Sequence, residues 1–180
     1  MKKWLLSGLA GLSWMLVACQ SSPEATNESV VAAEPASQTL PFAVYDNFSA
    51  LEHVFHYNND TTYIINFWAT WCKPCMEEMP YFEQLIQQVQ GKKARVILLS
   101  LDFKKDVPTK LKRFVEQRRL ESQVIALTDH RYDTWIDKVD PSWGGAIPAT
   151  LIYKGQNRKF VEQQFASYEE LEALVSALMK

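Results

Sequence analysis

Past Leu40 the chain divides into blocks that the spacing of apolar residues identifies. Residues 61–68, "TTYIINFW", and 95–101, "RVILLSL", are nearly continuous apolar runs. Such runs predict strands of a parallel sheet covered on both faces. Between them Cys75, Met79, Phe82, Leu85, Ile86 and Val89 recur at helical spacing and Gly91 follows, which predicts a helix over 73–90. Shorter patterns predict a first strand in 40–46, "LPFAVYD", and a helix over 49–56 with Ser49 as N-cap and Glu52 three residues on. A helix over 108–120, a strand in "QVIALT" and a short helix over 132–139 follow. Strands over 149–154 and 159–165 around "GQN" predict an antiparallel hairpin, and a last helix covers 168–179. This order predicts an α/β fold, a mixed central sheet with helices on both faces.

Residues 1–39 follow a different rule. Lys2 and Lys3 precede an uncharged apolar segment, 4–17. It is shorter than the roughly 20 residues of a membrane span and suits the apolar region of a secretory signal. It ends in "LVAC", 16–19, which resembles the lipobox of bacterial lipoproteins. That resemblance implies a signal peptide over 1–18, cleaved before Cys19, and lipidation of Cys19. Several acyl chains would then hold the protein at a membrane. Gln20 stands where an Asp would signal retention in the inner membrane, which points to the outer membrane of a Gram-negative cell. Residues 20–39 lack aromatics and are rich in Ser, Ala, Glu and Pro, so they predict a flexible tether. Random-coil scaling of about 5–6 Å × √n gives it a reach of roughly 25 Å. The expected plan is a leader over 1–18, lipidated Cys and tether over 19–39, and one folded domain over 40–180. A net charge of −2 with no long basic run argues against nucleic-acid binding.

With Cys19 assigned to the anchor, Cys72 and Cys75 are left of three cysteines. A structural zinc site needs four ligands, and His53, His56 and His130 have no paired spacing with the cysteines; no metal is implied. A disulfide around two residues constrains the unfolded chain little, so a purely structural staple explains the pair poorly. Redox exchange fits better. Cys72 falls where a buried strand meets a helix, and free N–H groups with the helix dipole favour a thiolate there. Cys75 lies one turn on, within reach of it. Lys73 adds a positive charge, and Pro74 suits the first turn, where its missing N–H has no partner to lose.

"NFWATWCKPC", 66–75, with "GGAIPATLIY", 144–153, closely resembles the exported thioredoxin-fold oxidoreductases of the TlpA/ResA type, over about residues 40–180. The resemblance implies a thioredoxin-like fold in which Cys72 attacks a substrate disulfide and Cys75 resolves the intermediate. It implies a cis peptide before Pro148, preceded by Ile147 and facing the cysteines. Trp71 would cover the site and line a substrate groove with Lys73, Pro74, Ile147 and Pro148. No cofactor is needed. The implied partners are an exported disulfide-containing protein, apocytochrome c among them, and a membrane thiol reductase of the DsbD/CcdA type as electron donor. Pro74 and Ile147 resemble reducing members; an oxidase or isomerase is the second reading. A thiol chaperone for Cu(I), a soft ion, is the third, although such chaperones space their cysteines by three and add a His.

Thioredoxins proper carry a buried Asp where this chain has Asn66. On the helix over 73–90, Glu78 falls inside the apolar stripe and Glu77 outside it. There Glu78 would be partly desolvated, its pKa raised, one turn beyond Cys75. A Glu six residues after the first cysteine also matches a functional acid of ResA-type proteins. The alternative is a solvated Glu favoured by the helix dipole, because Pro80 interrupts the helix and would rotate its face. Trp143, in "DPSWGG", has two placements open, the substrate groove and the core. Trp68 and the stripe Leu111, Phe114 and Val115 are expected in the core.

Overall fold

Every residue of Thr62–Trp68 (β2) is buried, and Ala94–Ser100 (β3) lies parallel to it, Ile64 opposite Val96 and Asn66 opposite Leu98. The computed structural model describes residues 39–180. The leader, Cys19 and the tether as far as residue 38 lie outside the described residues. Ala43–Tyr45 (β1), Gln123–Leu127 (β4), Ala149–Lys154 (β5) and Asn157–Val161 (β6) complete one sheet in the order β1-β4-β3-β2-β5-β6. The first four are parallel neighbours, and β5 and β6 run antiparallel at the other side. This is the expected α/β architecture.

Side chains alternate across a strand, and each face of the sheet has its own core. Ile64 and Trp68 pack with Phe82 and Leu85 of Lys73–Val89 (α2), with Val115 of Lys112–Arg118 (α3), and with Leu171 and Val175 of Tyr168–Met179 (α5). On the other face Tyr63, Ile65 and Phe67 pack with Phe48 and Leu51 of Phe48–Leu51 (α1) and with Val139 of Ile136–Val139 (α4). Cys72 and Cys75 belong to the first of these layers. No helix among the described residues is long and apolar enough to cross a membrane.

Some expected boundaries change. The N-cap of α1 is Asn47, not Ser49. Asn47 has the extended backbone of a cap, and its side-chain oxygen accepts from Ala50 N at 3.0 Å. Ser49, inside the helix, donates to that same oxygen. The helix passes into a 3₁₀ turn, Glu52–Phe55. The predicted helix over 108–120 is a π-type turn, Val107–Leu111, followed by α3. The hairpin strand begins at Asn157, because Gly155 adopts φ +56 and lets Lys154 pair directly with Asn157, and it ends at Val161. Residues 162–165 then leave the sheet, and Phe165 is buried beside Phe82. The expected helix over 73–90 holds, because Pro80 does not break α2. The helix runs on to Val89, and Cys75, Glu78, Met79, Phe82, Leu85 and Val89 stay on one buried face.

Candidate active site

Cys72 is the N-cap of α2. Its backbone is extended, at φ −87° and ψ 101°, and its Sγ accepts from Cys75 N at 3.3 Å. The sulfur thus takes the place an Asp or Ser oxygen usually holds at a helix start, and an N–H directed at it favours a negative charge there. Pro74 occupies the first turn and Met76 N donates to Cys72 O at 3.1 Å. Cys72 and Cys75 are joined by a disulfide, their Cα atoms 5.3 Å apart. Cys72 is 5% exposed and Cys75 is fully buried, an asymmetry that follows from their positions at the end and inside of the first turn.

The Ile147–Pro148 peptide is cis, and Ile147 O lies 3.7 Å from Cys72 Sγ. Half-buried Ile147 and buried Pro148 therefore border the disulfide. Trp71 is exposed beside it. Lys73 is also exposed, but its Nζ sits 3.7 Å from Glu77 Oε1. The pair is solvent-screened, and Glu77 takes up part of the positive charge expected to favour the Cys72 thiolate.

Glu78 is fully buried one turn past Cys75. Its Oε1 accepts from Asn66 Nδ2 at 2.8 Å and its Oε2 from Phe165 N at 2.9 Å. Burial pushes its pKa up to about 7. The two hydrogen bonds pull the other way, and the Glu170 carboxylate adds to the rise. Asn66 Nδ2 also donates to Thr150 Oγ1 at 3.1 Å, while Asn66 Oδ1 is buried with no hydrogen-bond partner. Neutral Asn66 thus holds an ionisable group on α2 rather than being one.

Trp143 is not in the groove. It is 3% exposed and packs in the layer opposite the cysteines, 4.4 Å from Phe67 and 5.8 Å from Trp135 between ring centroids. Its Nε1 donates to Ala146 O at 2.9 Å, so it braces from below the loop that delivers Ile147. Trp68 is fully buried.

Two acids absent from the sequence reading hold the site's loops. Asp102, fully buried just past β3, accepts from Thr70 N at 3.2 and 3.1 Å, from Thr70 Oγ1, and from Ser100 Oγ at 2.7 Å. Thr70 lies two residues before Cys72. The available signal was a carboxylate ending an apolar strand, "LLSLD", at the carboxyl ends of the strands, where α/β sites lie. Glu162 uses both oxygens on the loop before the cis peptide, accepting from Gly144 N and Ala146 N at 2.8 Å each. Gly145 between them needs its φ of +93. Glu162→Ala hands two exposed N–H groups to water and is expected to cost about 0.5–1.5 kcal/mol. Urea unfolding measures that loss, and hydrogen exchange at Gly144 and Ala146 should accelerate with it. Unchanged exchange at both amides would show that Glu162 does not hold the loop.

The AhpC/TSA family profile matches residues 50–158. A Bacillus cereus protein named thiol-disulfide oxidoreductase ResA is 40% identical over 60 residues, 33% of either chain. The match spans about a third of the length of such curated relatives. Among solved structures, a thiol:disulfide interchange protein of the thioredoxin family from Chlorobium tepidum superposes with a TM-score of 0.56 at 18% identity, covering 74% of this chain and 85% of its own. A secreted disulfide oxidoreductase from Mycobacterium tuberculosis superposes at 0.50 with 21% identity, covering 67% and 84%. These two likenesses establish a thioredoxin-like fold.

Proposed function

We infer that this chain, which belongs to the AhpC/TSA family, is a thiol–disulfide oxidoreductase working through Cys72 and Cys75. The observation that carries the reading is the N-cap sulfur of Cys72, which accepts an N–H and faces the backbone before a cis-proline, with Cys75 closed behind it. The Bacillus cereus relative of that name supports it over the matched third.

In the reducing direction the Cys72 thiolate attacks one sulfur of a substrate disulfide. A Cys72–substrate bond forms, the substrate S–S bond breaks, and the first substrate thiolate leaves. Cys75 loses its proton to Glu78 and attacks Cys72 Sγ. The Cys72–Cys75 bond forms and the second substrate thiol is released. Two electrons pass to the substrate. Glu78 serves as proton acceptor for the inner thiol, a role its raised pKa suits at neutral pH. Trp71, Pro74, Ile147 and Pro148 border the substrate, with Lys73 at the exposed rim.

Residues 1–18 act as a leader and Cys19 as a lipid anchor, so that the domain over 40–180 works outside the cytoplasm on a tether, at the outer membrane in a Gram-negative cell. Its substrates are exported disulfide-bearing proteins, an apocytochrome c among them. A membrane thiol reductase of the DsbD/CcdA type regenerates the dithiol. The reduction potential of the pair, equilibrated against dithiothreitol or glutathione, tests the direction. A reductant lies at about −270 mV or lower, whereas a value near about −120 mV makes the protein an oxidant.

A further inference from the structure

Loops at the C-terminal ends of β2, β3 and β4 carry a row of rings that leads away from Cys72. Trp71 is 55% and Phe103 47% exposed, and only Val44 joins them as an exposed large apolar residue among those described. Ring centroids are 6.2 Å apart for Trp71 and Phe103, 5.2 Å for Phe103 and His130, and 5.7 Å for His130 and Tyr132. His130 Nδ1 lies 2.9 Å from Tyr132 OH. The carboxyl ends of parallel strands are where α/β sheets bind ligands, yet nothing in the disulfide chemistry uses Phe103, His130 or Tyr132.

The row is held from below. Asp102 fixes Thr70 beside Trp71, and Leu101 N donates to Trp68 O at 2.8 Å, tying the β3 end to the β2 end. Trp135, in ring contact with Tyr132, donates its Nε1 to Asp129 O at 3.1 Å. Loops fixed in advance lose little backbone freedom when a partner covers the rings they carry. Two of the cations that follow the rings in sequence face acids of their own. Lys104 lies 3.0 Å from Asp46, and Arg131 lies 2.9 Å from Asp129. The surface therefore presents aromatic faces, with Lys105 as the exposed cation beside them.

We propose that this row docks the substrate polypeptide: an extended segment beside the substrate's cysteine, carrying apolar or aromatic side chains, lies across Trp71, Phe103 and His130 while its disulfide meets Cys72. The path over these three rings is about 11 Å, roughly three residues of extended chain. The selected side chains thus fall within about three residues of the cysteine. The proposal rests on the oxidoreductase reading and names the substrate class for it.

The test uses the reduced full chain and two disulfide-closed peptides, one with Phe and Leu in those three positions and one with Ser. The wild type is expected to reduce the aromatic peptide about tenfold faster at limiting concentration. Phe103→Ser should remove that preference and Phe103→Leu keep part of it. Equal rates for the two peptides in the wild type, or a preference that survives Phe103→Ser, overturn the docking surface and leave the oxidoreductase reading standing. Failure of Cys72 to exchange with either peptide in either direction, read as turnover or as a mixed disulfide, removes both. A wild-type dimer in sedimentation that Phe103→Ser dissociates would assign the row to a second copy of the chain and also overturn the proposal.

Discussion

Cys72→Ser is expected to bring disulfide exchange down to the uncatalysed background, and Cys75→Ser to stop it one step later with the substrate still attached. The two cysteines are not equivalent. Cys72 Sγ stands at the helix end with one N–H directed at it, and it is the sulfur a substrate can meet. A serine hydroxyl at that position keeps the contact but stays protonated at neutral pH, so the nucleophile is gone. Cys75 is fully buried behind it, where only an intramolecular partner reaches it. Its loss leaves the first attack intact and removes the second, so a Cys72–substrate disulfide accumulates. Insulin reduction measures the first effect. Intact mass of Cys75→Ser after mixing with an excess of a disulfide peptide measures the second. Turnover in Cys72→Ser, or an adduct carried by Cys75 in that variant, would reverse the assignment of roles.

Local pattern carried most of the fold. Continuous apolar runs marked β2 and β3, and a helical stripe marked α2, because in each case neighbours in sequence create the period that burial requires. The same stripe put Glu78 on the inner side of α2, where it is fully buried. What escaped depends on contacts without a period. Asp102 meets Thr70 across 32 residues, and Glu162 meets Gly144 and Ala146 across 18 and 16. Nothing near either acid in sequence signals those partners. Trp143 sits in a loop, so no spacing could assign it to the layer away from the cysteines. Asn47 and Ser49 are both good caps by residue type; the extended backbone at Asn47 decides between them. Gly155 set the hairpin register through a backbone conformation open to few other residues.

Glu78→Gln should flatten two pH profiles at once. The first is stability. In the unfolded chain this carboxyl ionises near 4.5, whereas in the fold burial holds it protonated up to about 7. Below pH 4.5 both states carry the proton and the group contributes no pH dependence. Between 4.5 and about 7 the unfolded state releases the proton and the folded state keeps it, so stability falls as pH rises. Above that window the burial penalty is complete, on the order of 3 kcal/mol. Gln removes this slope and still fits. Its oxygen accepts from Phe165 N, and its amide donates to the unpartnered Asn66 Oδ1 once the Asn66 side chain turns over. Urea unfolding of the oxidised protein from pH 4 to 8 should therefore fall for the wild type relative to Gln. The second profile is chemical. If Glu78 takes the Cys75 proton, release of the mixed disulfide has an inflection near pH 7 in the wild type. The variant should lack it and run about a hundredfold slower at that pH. A flattened stability profile with unchanged release would make Glu78 a buried acid with no part in the exchange. Loss of both would tie the acid's ionisation to the inner thiol.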